Sequence, residues 1–290
     1  MTELRNPDSM TLDAMTIEQA VEVMNNHDAI AAEAVRKIAP EVARAVAIVA
    51  EQLKKGGRLF YFGAGTSGRL GVLDASECPP TFRTDPDMVQ GVIAGGMEAM
   101  FRAKEGAEDS VEGGARDVDE RKIGPNDVVC GIASGGTTPY VWGALNRSID
   151  LGAKTLFLTC VQPVKNEPRV DVVLRPLTGP EVLTGSTRLK AGTATKLILN
   201  QLTTLAMVQL GKVYENLMVD LKASNVKLVD RSERIIQMIT GVDRATAAQL
   251  LVSSGGHVKL AIVMQKLNVD ATTAREKLEA SAGSLRTAVG

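Results

Sequence analysis

The chain is poor in the residues on which most metal sites and charge-relay hydrolases depend. It has two histidines, His27 and His257, and three cysteines, Cys78, Cys130 and Cys160. The cysteines are odd in number and far apart, with no C-x-x-C pair, which argues against both a disulfide framework and structural zinc. So few histidines make a Ser-His-Asp or Cys-His machine unattractive. No metal and no cofactor is therefore expected, and the chemistry falls to carboxylates, hydroxyls, lysines and backbone amides. Excess charge of either sign is also missing. Lys plus Arg number 33 and Asp plus Glu 34, giving a net charge of -1, so neither a nucleic acid nor an anionic membrane is an expected partner. No basic region followed by an apolar stretch opens the sequence, and no run of about 18 apolar residues occurs; the expected address is the cytoplasm. With 3% aromatic residues and one tryptophan, Trp142 reads as a core or interface anchor. The cysteines lie in or beside apolar segments and read as buried packing residues.

What is present is a helical start followed by a βα alternation. From Thr16 to Lys55, apolar residues recur at three- and four-residue steps, as in Val42, Val46, Val49 and Leu53, with Pro40 at a junction or in a first turn. Strands are expected at Arg58–Phe62, Val89–Ala94, Asp127–Ala133, Lys154–Cys160 and Val170–Leu174. Between them, helices are expected at Thr66–Glu77, stopped by Pro79 and Pro80, at Met97–Glu112 and at Pro139–Leu151. Near-continuous apolar strands separated by helices mean a parallel sheet covered on both faces, in a three-layer, flavodoxin-like α/β domain. A long helix is expected from Thr187 to Lys212. The last fifty residues read as three short helices with Gly255-Gly256 between the first two. The expected division is an N-terminal helical segment (1–55), an α/β domain (56–239) and a small all-α module (240–290).

Open α/β sheets bind ligands at strand C-termini, and three glycine- and hydroxyl-rich segments fall at or near that edge. The first is Gly63-Ala64-Gly65-Thr66-Ser67-Gly68-Arg69. Its glycines allow a sharp turn and close approach, while Thr66 and Ser67 sit where a helix N-terminus offers free amides to an anion. The spacing also fits G-x-G-x-x-G, but the second strand ends in Gly95-Gly96 and not in the acid a dinucleotide ribose needs. The lysine of a P-loop is absent too. The second segment, Ala133-Ser134-Gly135-Gly136-Thr137-Thr138-Pro139, repeats the same logic before another helix start. The third, Gly185 to Thr193, carries Ser186, Thr187, Arg188 and Lys190. Cations at a helix N-terminus oppose its dipole unless an anion is also there.

The run FGAGTSGRLGVLDASECPPTF, Phe62 to Phe82, resembles the signature of N-acetylmuramic acid 6-phosphate etherases. IAGGMEAMFRAKEGAEDS, ASGGTTPYV and GSTRLKAGTATK match that family in order, and the likeness covers nearly the whole chain. The central domain is similar to sugar isomerase (SIS) domains, and the last three helices resemble a UBA-like fold. The resemblance implies a SIS-type core, a sugar-phosphate ligand, a homodimer and contacts from Gly65, Thr66, Ser67, Ser134, Gly135, Thr137, Thr138, Ser186, Thr187 and Lys190. One departure stands out: many SIS domains carry Ser-x-Ser-Gly-x-Thr at the second loop, and here Ile132 replaces the first serine. Thr138 is the candidate to replace that contact.

The resemblance assigns catalysis to Glu77 and Glu108. On the residues alone, Glu77 reads as the end of the helix that opens at the first loop, where the dipole favours a protonated carboxyl suited to a general acid. Glu108 reads as sharing a helix face with Met97, Phe101 and Lys104, and Glu105, Asp109 and Glu112 remain rivals. Asp74 reads as a cap or pairing residue, His27 as a loop or first-turn residue, and His257 as a helix-cap or surface histidine. The implied reaction is loss of the lactyl ether at C3, beta to the C1 aldehyde of the open sugar, followed by water addition. An isomerase on the same fold would share the C2 proton abstraction. A non-catalytic regulator, like the related glucokinase regulatory proteins, would bind the sugar phosphate without turning it over.

Overall fold

The computed structural model describes residues 2–102, 104–221 and 226–290. Two 3-10 turns, Pro7–Ser9 and Leu12–Ala14, precede helix α1, Ile17–Lys37. Thr16 and Gln19 close a reciprocal capping box at its start, through bonds of 3.3 and 3.0 Å, which satisfies two amides that the first turn leaves free. Helix α2 spans Ala39–Lys54, with Pro40 in its first turn, where a missing N–H costs nothing.

The sheet has five strands: β1 Leu59–Gly63, β2 Val89–Ile93, β3 Val128–Ile132, β4 Lys154–Leu158 and β5 Val172–Leu174. All pairings are parallel and the order is β2-β1-β3-β4-β5. Every residue of β1 and β3 is buried, as apolar strands between two helical layers must be. The flavodoxin-like order reverses between β1 and β3, and such a reversal opens a crevice at the strand C-termini. The three-layer, flavodoxin-like α/β reading of the sequence holds. Strand ends differ from the expected ones by one or two residues.

The helices linking the strands depart further from expectation. Helix α3 runs Gly65–Phe82 with Pro79 and Pro80 inside it. The pair does not stop the helix. It only deprives the Ala75 and Ser76 carbonyls of their i+4 amides, and the helix closes when the Arg83 amide donates to the Pro79 carbonyl at 3.0 Å, with Arg83 left-handed at φ 51. The single helix expected over Met97–Glu112 is three pieces: α4 Glu98–Phe101, a 3-10 turn at Ala107–Asp109, and α5 Val111–Glu120. Gly106, left-handed at φ 73, breaks the run, and Ser110 caps the next helix by accepting from the Gly113 amide at 2.9 Å. Helix α6 is Pro139–Asp150, and α7 is Lys190–Gln209. Helices α5 and α6 approach to backbone contact. A Cβ on Gly114 would sit 1.9 Å from the Tyr140 carbonyl oxygen, and one on Gly143 would sit 2.0 Å from that of Val111.

Contacts divide the chain into two compact units, Met1–Ser76 with Asp87–Thr203, and Glu77–Pro86 with Thr204–Gly290. The first holds the sheet and a core that includes Phe60, Phe62, Val129, Val141, Leu145 and Phe157. Full burial of such side chains is worth about 1.5–3 kcal/mol each. The second holds a hairpin of β6 Val213–Tyr214 and β7 Leu217–Met218, and helices α8 Val226–Thr240, α9 Arg244–Ser253, α10 Val258–Leu267, α11 Ala271–Ala280 and α12 Leu285–Val289. Asp243, Asp270 and Ser284 cap α9, α11 and α12. The core of this unit draws on Val219, Leu221, Ile235 and Ile236 as well as on α9 to α12, so the last four helices share their interior with α8 and the chain before it. No single described helix is long and apolar enough to cross a membrane.

Candidate active site

The first two loops leave adjacent strands side by side, since Gly63 pairs with Ile132 in the β1–β3 register. Two glycines of the first loop serve packing. A Cβ on Gly63 would lie 2.6 Å from the Gly68 amide nitrogen, and one on Gly68 would lie 2.6 Å from Ile93 Cγ1. Helix α3 therefore starts hard against the sheet. Gly65 differs: it is left-handed at φ 52 with open space around it. It is exposed, Thr66 is half-buried and Ser67 is buried, so the loop presents the helix N-terminus, with its free amides and positive dipole end, at the switch point.

The second loop turns on Gly136, left-handed at φ 80, where a Cβ would fall 2.8 Å from Val161 Cγ2. Trp142 Nε1 donates to the Gly136 carbonyl at 2.9 Å, and the Cys160 amide donates to the Ser134 carbonyl at 3.0 Å. The tryptophan is thus the anchor of the loop. Ser134 is buried, Gly135 and Thr137 are exposed, and Thr138 is half-buried at the N-cap of α6, where its hydroxyl makes no capping bond. That leaves the Thr138 hydroxyl for another partner.

The third loop lies beside the first: a Cβ on Gly192 would be 3.7 Å from Thr66 Cγ2. Its helix begins at Lys190, three residues later than expected, so Ser186 and Thr187 stay in the loop, both half-buried. The anion that the cationic helix start called for is internal. Glu181, fully buried, accepts from the Lys190 and Ala191 amides at 3.0 Å each. Nine residues separate Glu181 from Lys190, and no local pattern marks it as a cap. Lys190 is also not where it was expected. It is 1% exposed, and its ammonium donates to His27 Nδ1 at 3.0 Å. Burial pushes its pKa down, opposed by the charge of Glu181. His27 lies within α1 and is buried, not in a loop.

Glu108 stands on the 3-10 turn and is exposed, not on a helix face shared with Met97 and Phe101. A cleft of about 210 Å³ is lined by Gly65 of the first loop, Arg69, Lys104, Glu105 and Glu108. The rival Glu105 is therefore in the same cleft. Arg69 holds the near wall: its Nε and Nη2 donate to the Met100 and Ala99 carbonyls at 2.9 and 2.7 Å, closing the short α4. Glu77 is exposed on α3 and belongs to the second unit. Since α3 continues to Phe82, Glu77 is not at a helix terminus and the dipole argument for it does not hold.

Asp74, the cysteines and His257 have structural surroundings. Asp74 is buried and accepts from Tyr61, Asn200 and Thr203, at 3.0, 2.8 and 3.3 Å; burial pushes its pKa up against those bonds. Cys78, Cys130 and Cys160 are free and buried, and burial pushes the Cys130 and Cys160 thiols up to about 12, which makes them poor nucleophiles. In the second unit His257 stands at the N-cap of α10 and accepts at Nε2 from Arg83 Nη2 at 3.1 Å.

Comparison with known proteins bears on the fold and the family. Residues 41–149 match the family model of the glucokinase regulatory protein N-terminal SIS domain. Two solved structures share the fold: a protein described as a phosphosugar isomerase involved in capsule formation, from Bacteroides fragilis, has a TM-score of 0.53 and 19% identity over 69% of this chain and 95% of its own. A phosphoheptose isomerase from Francisella tularensis has a TM-score of 0.50 and 20% identity over 69% of this chain and 99% of its own. Much nearer in sequence are two curated relatives, each named N-acetylmuramic acid 6-phosphate etherase. That of Salinibacter ruber is 52% identical over 99% of this chain and 93% of its own length. That of Gloeobacter violaceus is 53% identical over 100% and 94%. With half its residues identical across an end-to-end alignment, the chain belongs to the N-acetylmuramic acid 6-phosphate etherase family.

Proposed function

We propose that this chain cleaves the D-lactyl ether of N-acetylmuramic acid 6-phosphate, giving N-acetylglucosamine 6-phosphate and D-lactate, in the breakdown of cell-wall amino sugar. The observation that carries the proposal is the cleft in which a helix N-terminus at Gly65 meets Glu108. An anion-binding turn and a carboxylate in one cleft suit a phosphorylated substrate with an acidic C–H bond.

The phosphate sits on the amides and hydroxyls of the first two loops, with Gly65, Thr66, Ser67, Ser134, Gly135, Thr137 and Thr138 as its contacts. Ser186 and Thr187 of the third loop hold the sugar. Binding energy at the phosphate, remote from the reacting bond, holds the open chain in place. Glu108 takes the proton from C2, which the C1 aldehyde acidifies. The electron pair forms the C2–C3 double bond as the C3–O bond breaks, and Glu77 gives its proton to the departing lactate oxygen. Water then adds at C3 while a proton returns to C2. Each step needs only carboxyls and water. The working form on this reading is a cytoplasmic homodimer.

The test is incubation of purified protein with N-acetylmuramic acid 6-phosphate in heavy-oxygen water. D-lactate together with N-acetylglucosamine 6-phosphate labelled at the C3 oxygen is the expected result. Binding without lactate would replace the proposal with a sugar-phosphate regulator. Unlabelled sugar product would overturn elimination followed by hydration.

A further inference from the structure

The third loop is held from behind by a buried polar chain that the etherase chemistry does not use. Lys190 Nζ donates to His27 Nδ1 at 3.0 Å, which fixes the ring as the tautomer with its proton on Nε2. That nitrogen faces Asp8 Oδ2 at 3.2 Å. Asn6 Nδ2 lies 3.3 Å from the same ring and donates to the Pro180 carbonyl at 3.3 Å. Ser9 Oγ donates to the Val182 carbonyl at 2.6 Å, and the Gly185 amide donates to the Thr2 carbonyl at 3.3 Å. Residues 2–9 thus run along the segment from Pro180 to Gly185, while Glu181 within that segment grips the start of α7.

This strap is not held by apolar packing. Leu4 is 61% exposed and Met10 48%. Hydrogen bonds set its register, and His27 is the piece that joins it to Lys190. Asn6, His27, Glu181 and Lys190 are all buried, so each lost partner leaves a polar group stranded away from water.

We propose that His27, Lys190 and Glu181 are positioning residues: they fix the third loop so that Ser186 and Thr187 face the bound sugar phosphate, and the N-terminal segment completes the clamp. The inference rests on the etherase reading for its substrate, but the loop geometry it concerns can be measured without turnover. Lys190 on this view acts through His27 and the loop, not as a phosphate ligand.

Two readouts test it on the full chain: steady-state kinetics with N-acetylmuramic acid 6-phosphate, and hydrogen exchange of the peptide spanning residues 183–189. His27→Ala removes the acceptor of the Lys190 ammonium. The loss of a substrate hydrogen bond then raises KM about tenfold, kcat moves far less, and exchange at 183–189 speeds up. His27→Gln, whose amide oxygen accepts from the ammonium, brings KM and exchange back most of the way. Ser9→Ala, which cuts the strap at Val182, shifts both readouts in the same direction as His27→Ala and carries the test if that variant does not fold. Unchanged KM and unchanged exchange in the alanine variants overturn the proposal, as does a collapse of kcat at constant KM. If the wild-type chain releases no lactate, the etherase reading fails, and exchange alone then decides the positioning role.

Discussion

Removing the Glu181 side chain tests whether a buried carboxylate organises the third loop. Glu181 has no exposed surface and accepts two helix amides at 3.0 Å. In Glu181→Ala the Lys190 and Ala191 amides lose their partner. A buried donor left unsatisfied costs about 1–3 kcal/mol. The Lys190 ammonium also loses the charge that opposes its desolvation, but its own bond is to His27, so the two stranded amides set the magnitude. With two donors stranded, the expected loss is about 4 kcal/mol, a large part of the roughly 5–15 kcal/mol that holds a domain together. At about 2–4 °C per kcal/mol for a unit of this size, the melting temperature falls by about 8–16 °C. Glu181→Gln keeps an acceptor for one amide and turns an NH2 toward the other, so it falls between wild type and Glu181→Ala. Urea unfolding followed by tryptophan fluorescence is a direct assay. The chain's one tryptophan, Trp142, is bonded to Gly136 in the same unit as Glu181. A loss below about 1 kcal/mol for Glu181→Ala, the ordinary cost of a solvated cap, would show that the carboxylate is dispensable and refute the reasoning.

Three further outcomes follow from the geometry. Glu77→Gln and Glu108→Gln should each lower kcat for lactate release by about 10²–10⁴, the usual worth of general acid or base catalysis, with thermal stability close to wild type because both side chains are exposed; turnover near the wild-type rate in either would remove that residue from the mechanism. Gly68→Ala places a methyl 2.6 Å from Ile93 Cγ1 and 2.7 Å from the Gly63 carbonyl oxygen, so calorimetry should report a loss of about 1–3 kcal/mol, and an unshifted transition would contradict the close seating of α3. His257 has its pKa pushed below 6.5 by burial and by the neighbouring Arg83 and Arg275 charges. A depressed value in the folded state means that the neutral ring contributes stability fully above the unfolded value and loses it as pH falls through the folded one. The second unit should therefore weaken in acid, and His257→Gln should flatten that slope; parallel pH profiles for the two proteins would rule the histidine out as the cause.

The sheet was legible because β1 and β3 are buried on both faces, and a strand in that setting has no choice but to be apolar. The first two loops were legible because their glycines and hydroxyls carry a local pattern. Other features depend on partners distant in sequence or on context that a local rule does not weigh. Pro79 and Pro80 look like a helix stop, yet a helix interior tolerates them when Ala75 and Ser76 alone give up bonds. The apolar spacing from Met97 to Glu108 suggested one helix face, and Gly106 outweighed it by adopting a left-handed turn. The roles of Glu181 and His27 depend on partners that no local pattern reveals. Cations at Arg188 and Lys190 imply an anion, and a bound phosphate is the obvious candidate; nothing local points to the chain's own carboxylate, nine residues upstream, which takes the helix amides. Sequence position offers no hint that residue 27 meets residue 190.

The contact between α5 and α6 constrains how this sequence can drift. At Gly114 and Gly143 the obstacle to a side chain is a main-chain carbonyl, of Tyr140 and of Val111. Every amino acid carries that carbonyl, so no second substitution on the facing helix relieves the clash, whichever residue it brings. Most tight core positions can be exchanged by trading volume with a neighbour; these two have no such trade. A library randomised at both sites and selected for folded protein should return glycine at each, while the side chains around them vary freely.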